Sequence, residues 1–327
     1  MQRPSPDHAW TLTDGHAGNV RQAQALAAAL ALPTHDWTLA TRAPWRWLAP
    51  RPLPGAASAF GASFAAQLGG ITPSSTLLAI GCGRQGALAT RLLRARGARA
   101  VQILDPRVDP RAWDAVIVPA HDRLRGDNVI TLLGSLHPID DAWLDAARKA
   151  FHALGALPQP RTALLLGGAS AHSRLDADAL DATVRAVVER VRADGGSVLA
   201  TASRRTPAPV RERLANHLDG VPGIVWRDER DGANPYAGLL GWADRIVCTA
   251  DSVNMLSEAA ATRVPVHVAG IDALGGRPRA FVDALLASGR VCPFDPVGDG
   301  AWAPHLAEPL RETARVAEAV RQRLAHG

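Results

Sequence analysis

Residues 244–269 confine this chain to a narrow set of folds. An apolar run, Ile246-Val247-Cys248, opens into small polar residues at Thr249, Asp251, Ser252 and Asn254. A helical stretch carrying Glu258 follows, and then a second apolar run over 264–268. Two short apolar runs joined through a helix read as a βαβ unit of a parallel sheet. Such a unit cannot bury both faces of its strands alone. It demands further strands beside it and helices above and below.

The rest of the chain supplies them. Strands are expected at 9–13, 35–39, 76–80, 98–104, 115–118 and 128–131, with helices at 19–32, 85–96 and 140–154. The stretch 44–54, rich in proline and holding Trp45 and Trp47, reads as an irregular connection. A proline-bearing break at 155–160 is the expected domain boundary. The pattern then restarts, with strands at 162–166, 197–201, 223–226, 246–248 and 264–268. Helices are expected at 176–192, 207–218, 234–242, 277–288 and 306–324. Leu180, Val184, Val187, Val188 and Val191 share one face of the first of these, and Leu306, Leu310, Ala317, Val320 and Leu324 one face of the last. The predicted class is α/β, with two Rossmann-like domains whose parallel sheets face each other across a cleft.

Composition narrows the function. The chain has 47% hydrophobic and 20% charged residues, which is globular. Its net charge is +5, and Lys149 is the only lysine. Arginine suits phosphate. The bases are scattered and aromatics are few, so no nucleic acid is expected; contact with anionic lipid head groups fits the charge. Cys82, Cys248 and Cys292 are far apart, odd in number and without zinc spacing, so no metal site is expected. They suit a reducing compartment. Residues 1–8 lack the apolar core of a signal peptide, and 55–71 is weakly apolar for a span. A cytoplasmic protein is expected, touching the inner membrane from that side at most.

In open α/β sheets ligands bind beyond the carboxyl ends of the strands, and a helix N-terminus there favours phosphate. Asp251, Ser252, Asn254, Met255 and Glu258 therefore read as a nucleotide-diphosphate site, with Glu258 placed to accept hydrogen bonds from a ribose. An ordinary helix cap explains Asp251 or Ser252, but not Asn254 and Glu258 as well. Gly167, Gly168 and Ser170 form a small loop suited to a pyrophosphate. Ser203, Arg204, Arg205 and Thr206 add guanidiniums and hydroxyls at the next strand end, one of the two arginines being equally well a solvated charge.

The first strand exits into Asp14-Gly15-His16-Ala17-Gly18-Asn19. Glycines there let the backbone approach a ligand. Asp14 or His16 is a candidate general base for an acceptor hydroxyl, while a cap and a turn account for Asp14 equally well. Gly83 and Arg84, Asp105 and Arg107, and His121 end three further strands and would line an acceptor pocket; each alone is also ordinary turn chemistry.

Taken together, Leu12–Asn19, Gly81–Arg84, Asp105–Arg107, Pro119–Asp122, Ser203–Thr206, Asn234–Tyr236 and Thr249–Glu258 resemble the bacterial branch of the mitochondrial-fission "elongated mitochondria" family, whose members resemble glycosyltransferases. The resemblance covers nearly the whole chain. It implies a glycosyltransferase fold of the B type, with an acceptor domain at 1–157, a nucleotide-sugar domain at 158–305 and a helix at 306–327 returning to the first domain. The implied activity moves a sugar from a nucleotide-diphosphate donor to a cell-envelope or lipid-linked acceptor. Positive charge and the helix dipole would stabilise the leaving diphosphate without a metal. The nucleotide-sugar is then a co-substrate, and no cofactor is expected.

The competing reading is a non-catalytic scaffold that keeps the fold and recruits a protein at a membrane. An epimerase is the weaker third. A nucleotide-sugar epimerase would need a dinucleotide fingerprint at the first strand and a Tyr-x-x-x-Lys pair, and Tyr236 is followed four residues on by Leu240.

Overall fold

The computed structural model describes residues 4–170, 172–297, 302 and 308–326. The first sheet holds β1 (His8–Thr13), β2 (Thr34–Thr38), β3 (Leu77–Cys82), β4 (Arg99–Ile103), β5 (Ala115–Pro119) and β6 (Val129–Leu132). Their spatial order is β2-β1-β3-β4-β5-β6, every pair parallel. The second sheet holds β7 (Arg161–Leu166), β8 (Ser197–Ala202), β9 (Gly223–Trp226), β10 (Arg245–Thr249), β11 (Val266–Ala269) and β12 (Cys292–Pro293). Its order, β12-β11-β10-β7-β8-β9, is again parallel throughout. Counted from β7, this is the Rossmann order 3-2-1-4-5-6.

The central strands explain themselves. Every residue of β3, β7 and β10 is buried. Parallel strands covered on both faces need such near-continuous apolar runs. The helices are α1 (Ala17–Ala29), α2 (Trp45–Leu48), α3 (Ala62–Gly70), α4 (Gly83–Arg94), α5 (Asp141–Ala150), α6 (Ala177–Asp194), α7 (Ala208–His217), α8 (Tyr236–Trp242), α9 (Val253–Ala260), α10 (Gly276–Ala287) and α11 (Thr313–His326). Helix α6 is set by its ends and its face. The Asp176 carboxylate accepts from Ala179 N–H at 2.9 Å, and Gly195 closes the other end at φ +68°. Leu180, Val184, Val187, Val188 and Val191 are buried between those ends.

The chain forms two compact units, Met1–Pro138 with Glu312–Gly327, and Ile139–Arg311. The crossing thus lies at 138/139, not at the proline-bearing break of 155–160. The reason is α5. Gly241 in α8 lets Ala147 approach closely, and Gly238 leaves room for Phe151. Arg148 then donates to the Gly241 carbonyl at 2.7 Å. Helix α5 and the turn after it therefore belong with the second unit.

At the end of the chain, α11 joins the first unit. Val316, Ala317, Val320 and Leu324 enter the core that also holds Leu26, Ile80, Val101 and Ile117. Arg99 donates to the Leu324 carbonyl at 2.9 Å. The helix expected from 306 starts at Thr313, and Leu306 lies outside the described residues. Two short helices, α2 and α3, occupy the region read as irregular or weakly apolar. Among the described residues no helix is long and apolar enough to cross a membrane.

Candidate functional site

In each sheet the strand order reverses at one place. In the first unit the reversal lies between β1 and β3, and in the second between β7 and β10. Loops leaving the carboxyl ends of such strand pairs diverge and leave a crevice for ligands. Asp14–Asn19, Gly83–Arg84, Gly167–Ser170 and Asp251–Glu258 follow these four strands, whereas Asp105 and Arg107, His121, and Ser203–Thr206 follow the neighbouring β4, β5 and β8.

In the second unit, β7 exits into Gly167-Gly168 and β10 into Ala250-Asp251-Ser252. The loops are locked together. Gly167 N–H donates to Thr249 Oγ1 at 2.7 Å, and Gly168 N–H to Asp251 Oδ2 at 3.0 Å. Arg205 Nη2 lies 2.7 Å from the same oxygen, and Arg205 Nη1 donates to the Gly168 carbonyl at 3.1 Å. The Asp251 side chain is 0% exposed, so the guanidinium neutralises a carboxylate withdrawn from water. Both glycines are required by contact. A Cβ on Gly167 would stand 2.1 Å from Asp251 Oδ1, and one on Gly168 2.1 Å from the Arg205 carbonyl oxygen.

This geometry revises the expected roles. The glycine N–H groups are spent inside the protein, so their part is close packing and not the cradling of a pyrophosphate. Arg205 is a buttress; Arg204, exposed like Arg205, has no ion pair among the described residues. Thr206 is a buried strut whose Oγ1 donates to the Gly167 carbonyl at 2.5 Å and accepts from Ser203 N–H at 3.0 Å. Ser203 Oγ in turn accepts from Arg205 N–H at 3.2 Å. Ser170 is exposed, bridges to Ser173 and accepts from His172 N–H.

Helix α9 opens at the same crevice. Ser252 is its cap, accepting from Met255 N–H at 3.4 Å. The N–H groups of Val253 and Asn254 open the helix without intrahelical partners and carry its partial positive charge. Glu258 sits further along α9 and is 3% exposed. Its Oε2 accepts from the Tyr236 hydroxyl at 2.6 Å. Tyr236 begins α8, where Asn234 Oδ1 accepts its N–H at 2.9 Å. The pairing was not foreseen from sequence; the signal was the chain's one tyrosine inside the Asn-Pro-Tyr motif. Burial pushes the thiol of Cys248, on β10, well up, and the charges of Asp251 and Glu258 add to it.

In the first unit, the loops after β1 and β3 meet. Asp14 Oδ1 accepts from Asn19 Nδ2 at 2.9 Å and lies 3.0 Å from His16 Nδ1. Burial alone would raise the Asp14 carboxyl, but the hydrogen bonds from Asn19 and His16 outweigh it and hold the group below the ordinary value. Asp14 is therefore a weak base, and with Nδ1–H directed at Asp14 the acceptor nitrogen of His16 is Nε2. The His16 side chain is 77% exposed. Asn19 also accepts from Cys82 Sγ at 3.5 Å. Gly83 adopts φ +77°, and a Cβ there would stand 2.9 Å from Asn19 Nδ2. Gly15 has φ +79°, whereas Gly18 lies within the first turn of α1.

The remaining first-unit candidates do other work. Arg84 Nη2 donates to the Trp47 carbonyl at 2.8 Å and Nε to that of Ala49 at 3.2 Å, so it holds a loop. Asp105 accepts from Arg107 N–H at 2.8 Å and pairs with its guanidinium, a self-contained turn at the end of β4. His121 is half-buried beyond β5. Among the described residues no group of three His, Cys, Asp or Glu side chains could hold a metal ion.

With this geometry described, comparisons place the chain among known proteins. The family model described as "Mitochondrial fission ELM1" matches residues 17–324. The "Mitochondrial fission protein ELM1" of Arabidopsis thaliana is 33% identical over 279 residues, covering 76% of this chain and 64% of its own length. The chain thus spans less than two thirds of that relative. Among solved structures, the UDP-GlcNAc 2-epimerase of Methanocaldococcus jannaschii superposes with a TM-score of 0.61 at 12% identity, covering 98% of this chain and 99% of its own. The UDP-GlcNAc 2-epimerase of Neisseria meningitidis bound to UDP-GlcNAc gives 0.57 at 11% identity, covering 96% and 99%. Likeness at such identities is one of fold: two Rossmann-like units of the glycosyltransferase B type.

Proposed function

The chain belongs to the mitochondrial fission ELM1 family, and on that premise we propose that it is a glycosyltransferase using a nucleotide-diphosphate sugar. The observation that carries the reading is the strand-order reversal between β7 and β10, where α9 opens and carries buried Glu258, with exposed Arg204 on the loop after the neighbouring β8. A helix N-terminus and a free guanidinium suit a diphosphate. A carboxylate held by Tyr236 suits the two hydroxyls of a ribose. The match to a fold that binds UDP-GlcNAc in the Neisseria enzyme supports the same class of donor.

We assign donor binding to residues of the second unit and name His16, on the first, as the candidate base. An acceptor hydroxyl oxygen attacks the anomeric carbon while the bond from that carbon to the diphosphate oxygen breaks. The hydroxyl proton passes to His16 Nε2, with Asp14 holding the ring and its tautomer. Arg204 and the N–H groups of Val253 and Asn254 take the charge that develops on the leaving diphosphate. The acceptor is proposed to be lipid-linked or part of the cell envelope.

A thermal-shift screen against uridine, guanosine and adenosine diphosphates tests this reading, since a ligand of the native state raises its apparent stability. One nucleotide should raise Tm, and Glu258→Gln should reduce the shift at the same nucleotide concentration. A second reading, a non-catalytic scaffold, draws on the glycine N–H groups already bonded inside the protein. No shift with any nucleotide would favour it.

A further inference from the structure

Four large apolar side chains stand exposed among the described residues, and three of them, Trp47, Leu48 and Leu53, fall on α2 and the turn after it. Trp47 is 63% exposed. Scattered exposed apolar residues are ordinary, but a cluster signals a surface used for contact. This cluster is built outward. Trp45 packs on the core group of Ala49, Ala59 and Leu88, while Trp47 faces away.

The loop is also held in shape. Besides the Arg84 contacts to Trp47 and Ala49, Gln85 donates to the Arg46 carbonyl at 3.2 Å and Arg91 to that of Pro50 at 2.7 Å. The backbone under the apolar side chains is therefore anchored to α4. Arg46 stacks its guanidinium 5.7 Å from the Trp47 ring, and Arg42 and Arg51 are exposed on either side.

Charge selects the occupant. Residues 37–104 contain eight arginines and no Asp or Glu, so this segment alone exceeds the +5 of the whole chain. The remainder is net negative. Exposed tryptophan and leucine flanked by the exposed Arg42, Arg46 and Arg51, in a segment that carries no carboxylate, match a bilayer interface bearing anionic head groups.

We propose that Arg42–Leu53 is a docking surface for an anionic lipid bilayer, with Trp47, Leu48 and Leu53 entering the head-group layer and Arg42, Arg46 and Arg51 meeting lipid phosphates. The surface stands apart from sugar transfer, because it requires neither donor nor acceptor. Arg84, which holds the Trp47 and Ala49 carbonyls, follows Gly83 directly, so the surface is tied to the loop after β3.

Sedimentation of the full chain with vesicles tests it. The protein should sediment with vesicles of equal parts phosphatidylglycerol and phosphatidylcholine, and not with phosphatidylcholine alone. Arg46→Gln and Arg51→Gln should each lower the partition coefficient about fivefold. Trp47→Ala with Leu53→Ser should lower it about tenfold or more, and added salt should weaken binding. Val297→Ser, which removes the fourth exposed apolar side chain, should leave binding unchanged. Matching Tm values for all variants establish that each is folded. Three outcomes would overturn the proposal: no sedimentation with phosphatidylglycerol, equal binding by every variant, or self-association that Trp47→Ala abolishes while vesicles bind nothing.

Discussion

The hydroxyl of Tyr236 donates a 2.6 Å hydrogen bond to Glu258 Oε2, tying the chain's single tyrosine to the one carboxylate inside α9. The bond ties the first residue of α8 to the second turn of α9. A charged acceptor held in this way is pre-organised for hydroxyl donors.

Affinity for a nucleoside diphosphate should respond to both partners. Tyr236→Phe should weaken binding about threefold to tenfold, and Glu258→Gln about tenfold to a hundredfold, the range for hydrogen bonds to a charged group. Titration calorimetry measures both. Equal loss on the deoxyribose nucleotide would show that the carboxylate does not read the ribose.

The Asp251–Arg205 pair is expected to matter to folding more than to ligands. Asp251→Ala leaves Arg205 and Gly168 N–H without their shared acceptor and should cost about 2 kcal/mol in urea unfolding. Gly168→Ala should cost about 1–3 kcal/mol, since its Cβ meets backbone. By contrast, Arg204→Gln should leave stability unchanged and weaken diphosphate binding about tenfold.

Unit 1 offers a separate test of the base. His16→Gln should reduce turnover about a hundredfold or more with donor affinity intact. Asn19→Ala should reduce it less, by releasing Asp14. If His16→Gln keeps full turnover, His16 is not the base.

Acid titration reads Asp14 directly. Its carboxyl is held below the ordinary value, so its contribution to stability is full above the unfolded carboxyl value of about 4 and is lost as pH falls through the lower folded value. Asp14→Asn should therefore flatten the acid limb of stability measured by urea unfolding. Asp231, held down to about 2 by hydrogen bonds from Arg227, contributes in the same direction and is unaffected by the substitution.

Much of this architecture was legible before any coordinates. Strands β3, β7 and β10 are buried on every residue, and such runs announce themselves. Helix α3 did not. It lacks a side-chain cap and ends in Gly69-Gly70, and Phe64 and Leu68 hold it by packing. Helix α5 was assigned to the wrong side of the boundary because what positions it, Gly238 and Gly241, lies far along the chain. The same distance hid the site's wiring. Asp251, Ser252 and Glu258 stood out as a strand–turn–helix, but no spacing rule reveals that Arg205 is consumed by Asp251 or that Tyr236 finds Glu258. Pattern reads local order, whereas contacts between remote segments are settled by packing.

The position of α11 has a consequence in time. Ribosomal synthesis runs from one end, and units assemble as they emerge. The second unit, Ile139–Arg311, has all its strands and helices before the last residues appear. The first unit is begun earliest yet finished last, because its core waits for Val316, Val320 and Leu324. A nascent chain halted before these residues would carry a completed second half behind an open first half, with Leu26 and Ile80 bared to whatever apolar surface is nearest.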